Sequence, residues 1–519
     1  MLDFDVAVAG MGFAGVEAAS AAARLGNETL LISTTLDWKH IPCSTGFGGP
    51  GRGHLLREIS ALGGLIPEIA DKTYIHRRPS NYSKGPAISN LFYLVDEIHF
   101  SYSVKRKLEQ TEKIYLYQGR LDDFEVKDGQ FILHFADGTK FTSKALIMAV
   151  GTFLNGKVIQ GKSVEDGGRK GLYASKKLAG KLSALGFKFG RFRTGTPPRI
   201  KGSSFVAEKF ERQEFAGWLP FGFSCFSTPP VLKQVYSYAA HTNDKTRNET
   251  EKYLNQVEAV VKSRGPSHCP SFIDKLQFYP EKTSHRIFIF PVNLSEQEYI
   301  ISGLGLYFDV EAQLKVIRTV EGLENAEIVR PGYAVEYDFI EPTQLYHTLE
   351  SRQIENLYFC GQVNGTSGYE EAAAQGIIAG INAALKLKGK EPFVLSREES
   401  YIGVMIDDLV TRGVEEPYRI YTSRAENRLL LRFDNADLRL TPKARKIGMI
   451  SDEDWAIFEK RRRMVEEVKS KVSFSKVKSL KEYQQNLWDS CGDVIELNAY
   501  LEAIAGEVYG NYLKRFSSQ

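Results

Sequence analysis

The stretch that most constrains the fold is the first one, "DFDVAVAGMGFAGVEAASAAARLGNETLLIS". Val6 to Ala9 is a short apolar run of the kind found in a buried parallel strand. Gly10, Gly12 and Gly15 give G-x-G-x-x-G, an Ala-rich helix runs to about Leu25, and a second apolar run, Thr29 to Ile32, completes a βαβ unit. In that setting Gly10 makes the tight turn, Gly12 lets a pyrophosphate approach the backbone, and Gly15 lets helix and strand pack closely. The phosphates are expected at the helix N-terminus, where unpaired amides and the dipole favour anions. Ser33-Thr34-Thr35 replace the acidic residue that commonly binds the ribose, so the motif alone does not say which dinucleotide is held.

Two later segments read as returns to the same sheet. "KALIMAVGTFLNG" is an apolar strand ending in Gly-Thr. "ENLYFCGQVNGTSGYEEAAAQGIIAGINAAL" is a strand ending at Cys360-Gly361, a Gly/Asn loop, and a helix opening near Tyr369-Glu370-Glu371, with Gly376 and Gly380 suited to tight packing. Three such elements predict an α/β fold: a Rossmann-type FAD-binding domain, glutathione-reductase-like, over 1–200 and 330–395, interrupted by an inserted α/β domain over 201–329. From about 396 the charged segments predict a mainly helical C-terminal module, 396–519.

A length of 519 residues fits two or three domains. The formal charge of +3, from 67 basic and 64 acidic residues, excludes a polycation, so a nucleic-acid partner would be held by local patches. Cys43, Cys225, Cys269, Cys360 and Cys491 have no C-x-x-C spacing, which argues against a disulfide framework or a metal site. The first residues carry acids where a signal peptide would be basic, and no apolar run approaches the roughly 20 residues needed to span a bilayer. The expectation is a soluble, cytoplasmic protein without a membrane partner.

"IPCSTGFGGPGRGH" places Cys43 ahead of a glycine-rich run. It lacks G-x-x-x-x-G-K-[ST], so it is not an NTPase P-loop. On spacing alone it reads as a glycine-rich turn with an incidental cysteine.

Several further stretches are too specific to be chance: "RFRTGTPPR", "GPSHCPSFIDK", "RPGYAVEYDF", "FCGQVNGTSGYEEAAAQGIIAGINAA" and "EPYRIYTSRAENRLLLRFDNADLRLT". In this order they resemble the MnmG/GidA family, the flavoprotein half of the machinery that modifies tRNA wobble uridine at C5. The resemblance implies an enzyme with FAD that uses NADH and methylene-tetrahydrofolate. It also implies an MnmE-type GTPase partner and a homodimer, and the addition of an aminomethyl or carboxymethylaminomethyl group. It implies catalytic thiols at Cys43 and Cys269. The opening loop then becomes flavin-facing, with Gly48 and Gly49 near the isoalloxazine and Arg52 and His54 close by. It also implies that Gly361, Gln362, Asn364, Tyr369 and Glu370 are cofactor-proximal. The chain departs from the family at Ser44-Thr45, at Leu91-Phe92-Tyr93, and in ending at Gln519, before the terminal helical bundle of family members.

Arg424, Arg428 and Arg432, at i, i+4 and i+8, would share one face of a helix if "TSRAENRLLLR" is helical. That face is either simply solvated or a holder of tRNA phosphates or cofactor. Lys460 to Arg463 is a basic cluster with the same two readings. Rival functions are a folate- and FAD-dependent tRNA uridine C5-methyltransferase, against which the C-terminal module counts, and a diverged, non-catalytic flavoprotein that binds RNA.

Overall fold

The computed structural model describes residues 2–37, 41, 43–81, 84–216, 221–258, 263–267 and 270–471. Cys269, one of the two thiols singled out above, lies outside the described residues, as does everything after 471.

The N-terminal segment forms β1 (Asp3–Ala9), α1 (Phe13–Arg24) and β2 (Thr29–Ser33). β1 pairs in parallel with β2, Ala9 opposite Ile32, and with the strand Lys140–Met148, Ala9 opposite Met148. The strands Ile114–Gln118 and Leu357–Phe359 extend this parallel core, and two antiparallel strands complete a seven-stranded sheet. β2 and the end of β1 are buried on both faces, which is why they read as continuous apolar runs rather than alternations.

The helix Tyr369–Leu387 packs along α1. A Cβ added at Gly376 or Gly380 would fall inside the carbonyl oxygens of Ala14 and Ala18, so the two glycines set the closeness of the helix pair. Gly15 does the same at the other contact, where a Cβ would collide with the Gly10 carbonyl. This is the packing role expected of the third glycine in the motif.

After β2 the chain forms β3 (Gly46–Gly48), α2 (Arg52–Ala61), α3 (Ile66–Thr73), β4 (Tyr74–Ser80) and β5 (Asn90–Val95), then α4 (Glu97–Glu109). β3, β5 and β4 make a small antiparallel sheet, so the altered segment Leu91-Phe92-Tyr93 is a strand with Leu91 and Tyr93 buried. A six-stranded antiparallel sheet takes its strands from between Arg199 and Arg330. A four-stranded sheet pairs Phe189–Thr196 with Tyr333–Ile340 and so brings the two flanks of that region together.

Buried carboxylates tie these parts to one another. Glu17 on α1 accepts the amides of Leu65 and Ile66 at the start of α3. Glu58 on α2 accepts those of Tyr401 and Ile402, both at 3.0 Å. Asp71 on α3 accepts those of Phe223 and Ser224. Each satisfies two otherwise unpaired donors in the interior.

The described part of the C-terminal region holds the helices Tyr401–Asp407, Ala436–Ile447 and Asp452–Lys471. The stretch between the first two corrects the sequence reading. Between Arg424 and Arg432 there is no helix: the only regular pieces nearby are the short 3₁₀ turns Thr422–Arg424 and Phe433–Asn435, and Arg424, Arg428 and Arg432 do not share a helical face. The side chains compete with helix formation by bonding the local chain. The Arg424 guanidinium donates to the Arg419 carbonyl at 2.8 Å, and buried Arg432 donates to the Leu429 carbonyl at 3.0 Å and to Asp434. Arg428 is exposed. The basic cluster is split as well: Arg461 is buried against Asp437 and the Asp434 carbonyl, while Arg462 pairs with Glu459 at the surface.

Candidate active site

The C-terminal ends of β1, β2, Lys140–Met148 and Leu357–Phe359 open into one cavity of about 660 Å³. That is the end of a parallel sheet where ligands of such folds bind. Its floor is Gly10 to Ala14, the turn and first residues of α1. The N-cap Gly12 has no side chain to satisfy the first-turn amides, so they are available to an anion. Gly10 has φ +112°, and a Cβ there would strike the Ala149 carbonyl, so the turn demands glycine. Gly361, at φ +85°, sits 3.0 Å, measured from a hypothetical Cβ, from the Ala14 methyl group and keeps the opposite wall open.

Ser33 and Thr34 line the cavity where a ribose-binding acid commonly stands. The Ser33 hydroxyl is already engaged, donating to the Thr35 carbonyl at 2.7 Å and accepting the Thr35 amide at 3.3 Å. A glycine-floored cavity with an uncapped helix start, of a size typical for cofactor sites at about 300–1,000 Å³, fits a dinucleotide such as FAD. Gly10, Gly12 and Gly361 would lie nearest its phosphates and Gln362 and Tyr369 further along.

Cys43 lines the same cavity, its Sγ 3.4 Å from the Gly195 carbonyl oxygen. The Tyr369 hydroxyl accepts the amides of Cys43 and Ser44. The Tyr369 ring stacks on Phe13 with centroids 4.5 Å apart, and burial raises its phenol pKa, keeping it neutral. The helix that begins at Tyr369 therefore fixes the thiol-bearing loop.

Not every residue singled out in the sequence reaches the cavity. Gly46, Pro50 and Arg52 line it, but Gly48 and Gly49 do not. Gly48 has φ +80°, packs against the Leu91 carbonyl and the Phe223 ring, and donates its amide to Glu370 at 2.8 Å. Glu370 is thus a buried anchor for β3, with Arg52 3.9 Å away, and Asn364 is buried against Gln375 at 2.9 Å. His54 is 1% exposed and packs against Tyr401 and Phe433, away from the cavity. Burial lowers its pKa to about 4.

The opposite wall carries residues that the sequence reading passed over. Arg193 donates to Asp274 at 2.7 Å and to the Tyr307 hydroxyl. The Tyr307 hydroxyl in turn donates to Ser271, whose own hydroxyl bonds Asp274 at 2.7 Å. Burial would depress the Arg193 pKa, but Tyr307 and Asp274 overcome it and hold the guanidinium charged. The alternation of Arg191 and Arg193 in "RFRTGT" is the one signal that could have marked this strand face. Asp274 is a member of this network and lines the cavity together with Lys275.

Fold and cavity define an α/β flavoprotein of the FAD-binding class, with a thiol facing the cofactor cleft. The comparisons agree. Residues 5–391 match the family model "Glucose inhibited division protein A". A relative from Thermodesulfovibrio yellowstonii, named "tRNA uridine 5-carboxymethylaminomethyl modification enzyme MnmG", is 42% identical over 526 residues, covering 99% of this chain and 84% of its own. One of the same name from Lacticaseibacillus paracasei is 42% identical over 99% of this chain and 80% of its own. The structure of Aquifex aeolicus GidA (form I crystal) superposes with a TM-score of 0.90 at 36% identity, covering 99% of this chain and 89% of that one. The chain belongs to the glucose-inhibited division protein A family, a family of flavin-dependent enzymes. Among the described residues no helix is long and apolar enough to cross a membrane.

Proposed function

We propose that this chain modifies a uridine of tRNA at C5, adding an aminomethyl or carboxymethylaminomethyl group. One observation carries the reading. The Cys43 thiol opens into the same cavity as the Gly10–Gly12 turn, in a chain 42% identical along 99% of its length to relatives named for that modification. Methylene-tetrahydrofolate as one-carbon donor, NADH as reductant, an MnmE-type GTPase partner and a homodimeric assembly belong to the same proposal.

FAD would supply reversible two-electron chemistry. The chain's own residues supply the rest. Uracil C5 is a poor nucleophile until a nucleophile adds at C6. A thiolate adds readily and leaves again. With the Cys43 thiolate in that role, an S–C6 bond forms and the ring electrons move to an enolate that is nucleophilic at C5. After C5 bonds the one-carbon electrophile, loss of the C5 proton and of the thiolate restores the ring, and an amine co-substrate would displace the folate nitrogen from the new methylene, releasing tetrahydrofolate and leaving the aminomethyl group. Tyr369 holds the Cys43 loop in place for this addition, and Cys269, which the family resemblance implies as a second catalytic thiol, is proposed to serve the same reaction.

Nucleoside mass spectrometry of bulk tRNA tests the proposal. A deletion strain should lose a C5-aminomethyl-type uridine, the intact gene should restore it, and Cys43→Ser should not, while the variant protein retains its flavin absorbance. An unchanged tRNA profile on deletion would defeat the reading.

A further inference from the structure

The cavity also has an aromatic and cationic wall, made of residues other than those assigned above to the dinucleotide and the thiol. Phe92 on β5 and Arg286, Phe288 and Phe290 on the strand Arg286–Pro291 line it. Arg78 on β4 does not itself line the cavity but lies directly across from Phe92 in the β4–β5 register, its guanidinium 4.9 Å from the ring centroid. Arg286 stacks likewise on Phe288 at 5.1 Å, and Phe290 sits between the two rings, 5.9 Å from Phe92 and 5.5 Å from Phe288.

Arg78 is half-buried, yet its guanidinium forms no hydrogen bond or ion pair with any described residue. Burial, and then the nearby Arg286, lower its pKa below the usual guanidinium value. Arg286 does have a counter-charge, Glu211 at 3.0 Å, but both side chains are largely exposed, and such pairs are weak and readily exchanged. The Arg78 guanidinium, held on an aromatic face, keeps its N–H edge free of every described residue, while Arg286 shares one nitrogen with Glu211. With no acid on Arg78 among the described residues, that end of the arrangement lacks an anion. Phenylalanine rings and guanidinium planes are also the surfaces on which unstacked bases rest.

We propose that Arg78, Arg286, Phe92 and Phe288 form a nucleotide subsite. The two guanidinium groups take a phosphate, and the phenylalanine–guanidinium wall takes the base of the RNA nucleotide beside the uridine that enters the cavity. This rests on the tRNA reading above. A phosphate joined to a planar base also occurs in a free dinucleotide, so the test has two arms.

In the first arm, the flavin-loaded protein binds a fluorescent anticodon stem-loop RNA, followed by anisotropy across a range of salt. Arg78→Gln should weaken binding about tenfold and lower the slope of log K against log salt by about 0.7, the loss of one single-strand phosphate contact. Arg78→Lys should restore the slope, and flavin absorbance per protein should stay constant in both variants. In the second arm, stopped-flow flavin reduction is followed against NADH concentration. RNA binding weakened with NADH dependence unchanged supports the subsite as stated. NADH dependence weakened with RNA binding unchanged gives the nucleotide role to the free dinucleotide and overturns the RNA assignment. No change in either arm overturns the subsite. If the wild-type protein binds no RNA, the tRNA reading itself fails, and the NADH arm alone decides whether the wall binds a nucleotide.

Discussion

The hydroxyl of Tyr369 accepts the backbone amides of Cys43 and Ser44, at 3.0 and 3.2 Å, from a position 326 residues further along the chain. The same tyrosine is the first residue of its helix and stacks on Phe13, the first residue of α1. One side chain thus joins the starts of two helices at the dinucleotide floor to the loop that carries the thiol.

Tyr369→Phe removes that acceptor while keeping the stacking ring. The two amides lose their partner, at a cost of about 1–3 kcal/mol, and the thiol loop loses its position. Flavin content should remain near that of the wild type, and the modification rate should fall about 10- to 100-fold, as expected when a reacting group is misplaced. Single-turnover assays on tRNA check this. Equal rates for the variant and the wild type would remove Tyr369 from the positioning role.

Gly380→Ala probes the closeness of the helix pair. The new methyl group has no room beside the Ala18 carbonyl, so the helices must separate. Overpacking of this kind costs about 1–3 kcal/mol, and the separation would disturb the α1 N-terminus. Thermal unfolding should show a lower Tm together with reduced flavin retention.

His54 gives stability a pH dependence of defined sign. Its folded pKa is lowered to about 4 by burial, below the value near 6.5 of an exposed imidazole. The unfolded chain therefore binds the proton first. The stability that His54 contributes is complete above pH 6.5 and is lost as pH falls from there through 4. Asp71 and Glu17, raised by burial to about 6 and about 7, act in the opposite sense, so the single chain's profile mixes the effects. Comparison with His54→Phe cancels them. The stability of the wild type relative to the variant should drop by up to about 3 kcal/mol between pH 7.5 and 4, measured by urea unfolding.

The three arginines first read as one face should separate by experiment. Arg432→Gln removes a buried guanidinium bonded to the Leu429 carbonyl and Asp434, and should destabilise the protein by about 1–3 kcal/mol. Arg428→Gln, at an exposed position, should change stability by no more than about 0.5 kcal/mol and weaken RNA binding if that surface meets the phosphate backbone. Unfolding and anisotropy on the same two variants tell the roles apart.

The parts of this molecule that were legible in sequence are those where local and long-range demands coincide. The βαβ unit shows because β2 and the end of β1 are buried on both faces and because Gly10 and Gly15 stand where no side chain fits. Gly376 and Gly380 show for the same steric reason. The segment from 424 to 432 misled because arginine spacing says nothing about where guanidinium groups find partners. Here they turn back on nearby carbonyls and hold the chain in turns. Gly48, Asn364 and Glu370 were assigned to the cofactor by motif, whereas the structure gives them partners in the protein: Glu370 and Gln375. The Arg193, Ser271, Asp274 and Tyr307 network was hidden because its members come from three separate stretches that only the folded chain brings together.

The carboxylate of Glu58 has a consequence for how the protein is made. It lies on α2, near the beginning of the chain, and its amide partners at Tyr401 and Ile402 emerge 343 and 344 residues later. At synthesis rates of about 5–20 residues per second, that interval is roughly 20–70 s. Throughout it, the nascent N-terminal unit carries an acidic group that must remain in water and cannot be sealed into the interior. The strand Leu357–Phe359, which extends the parallel sheet, arrives almost as late. A ribosome that stalls before Ile402 would therefore hold a dinucleotide fold with an open seam, and the cell would meet it as a client for chaperones rather than as a partly working enzyme.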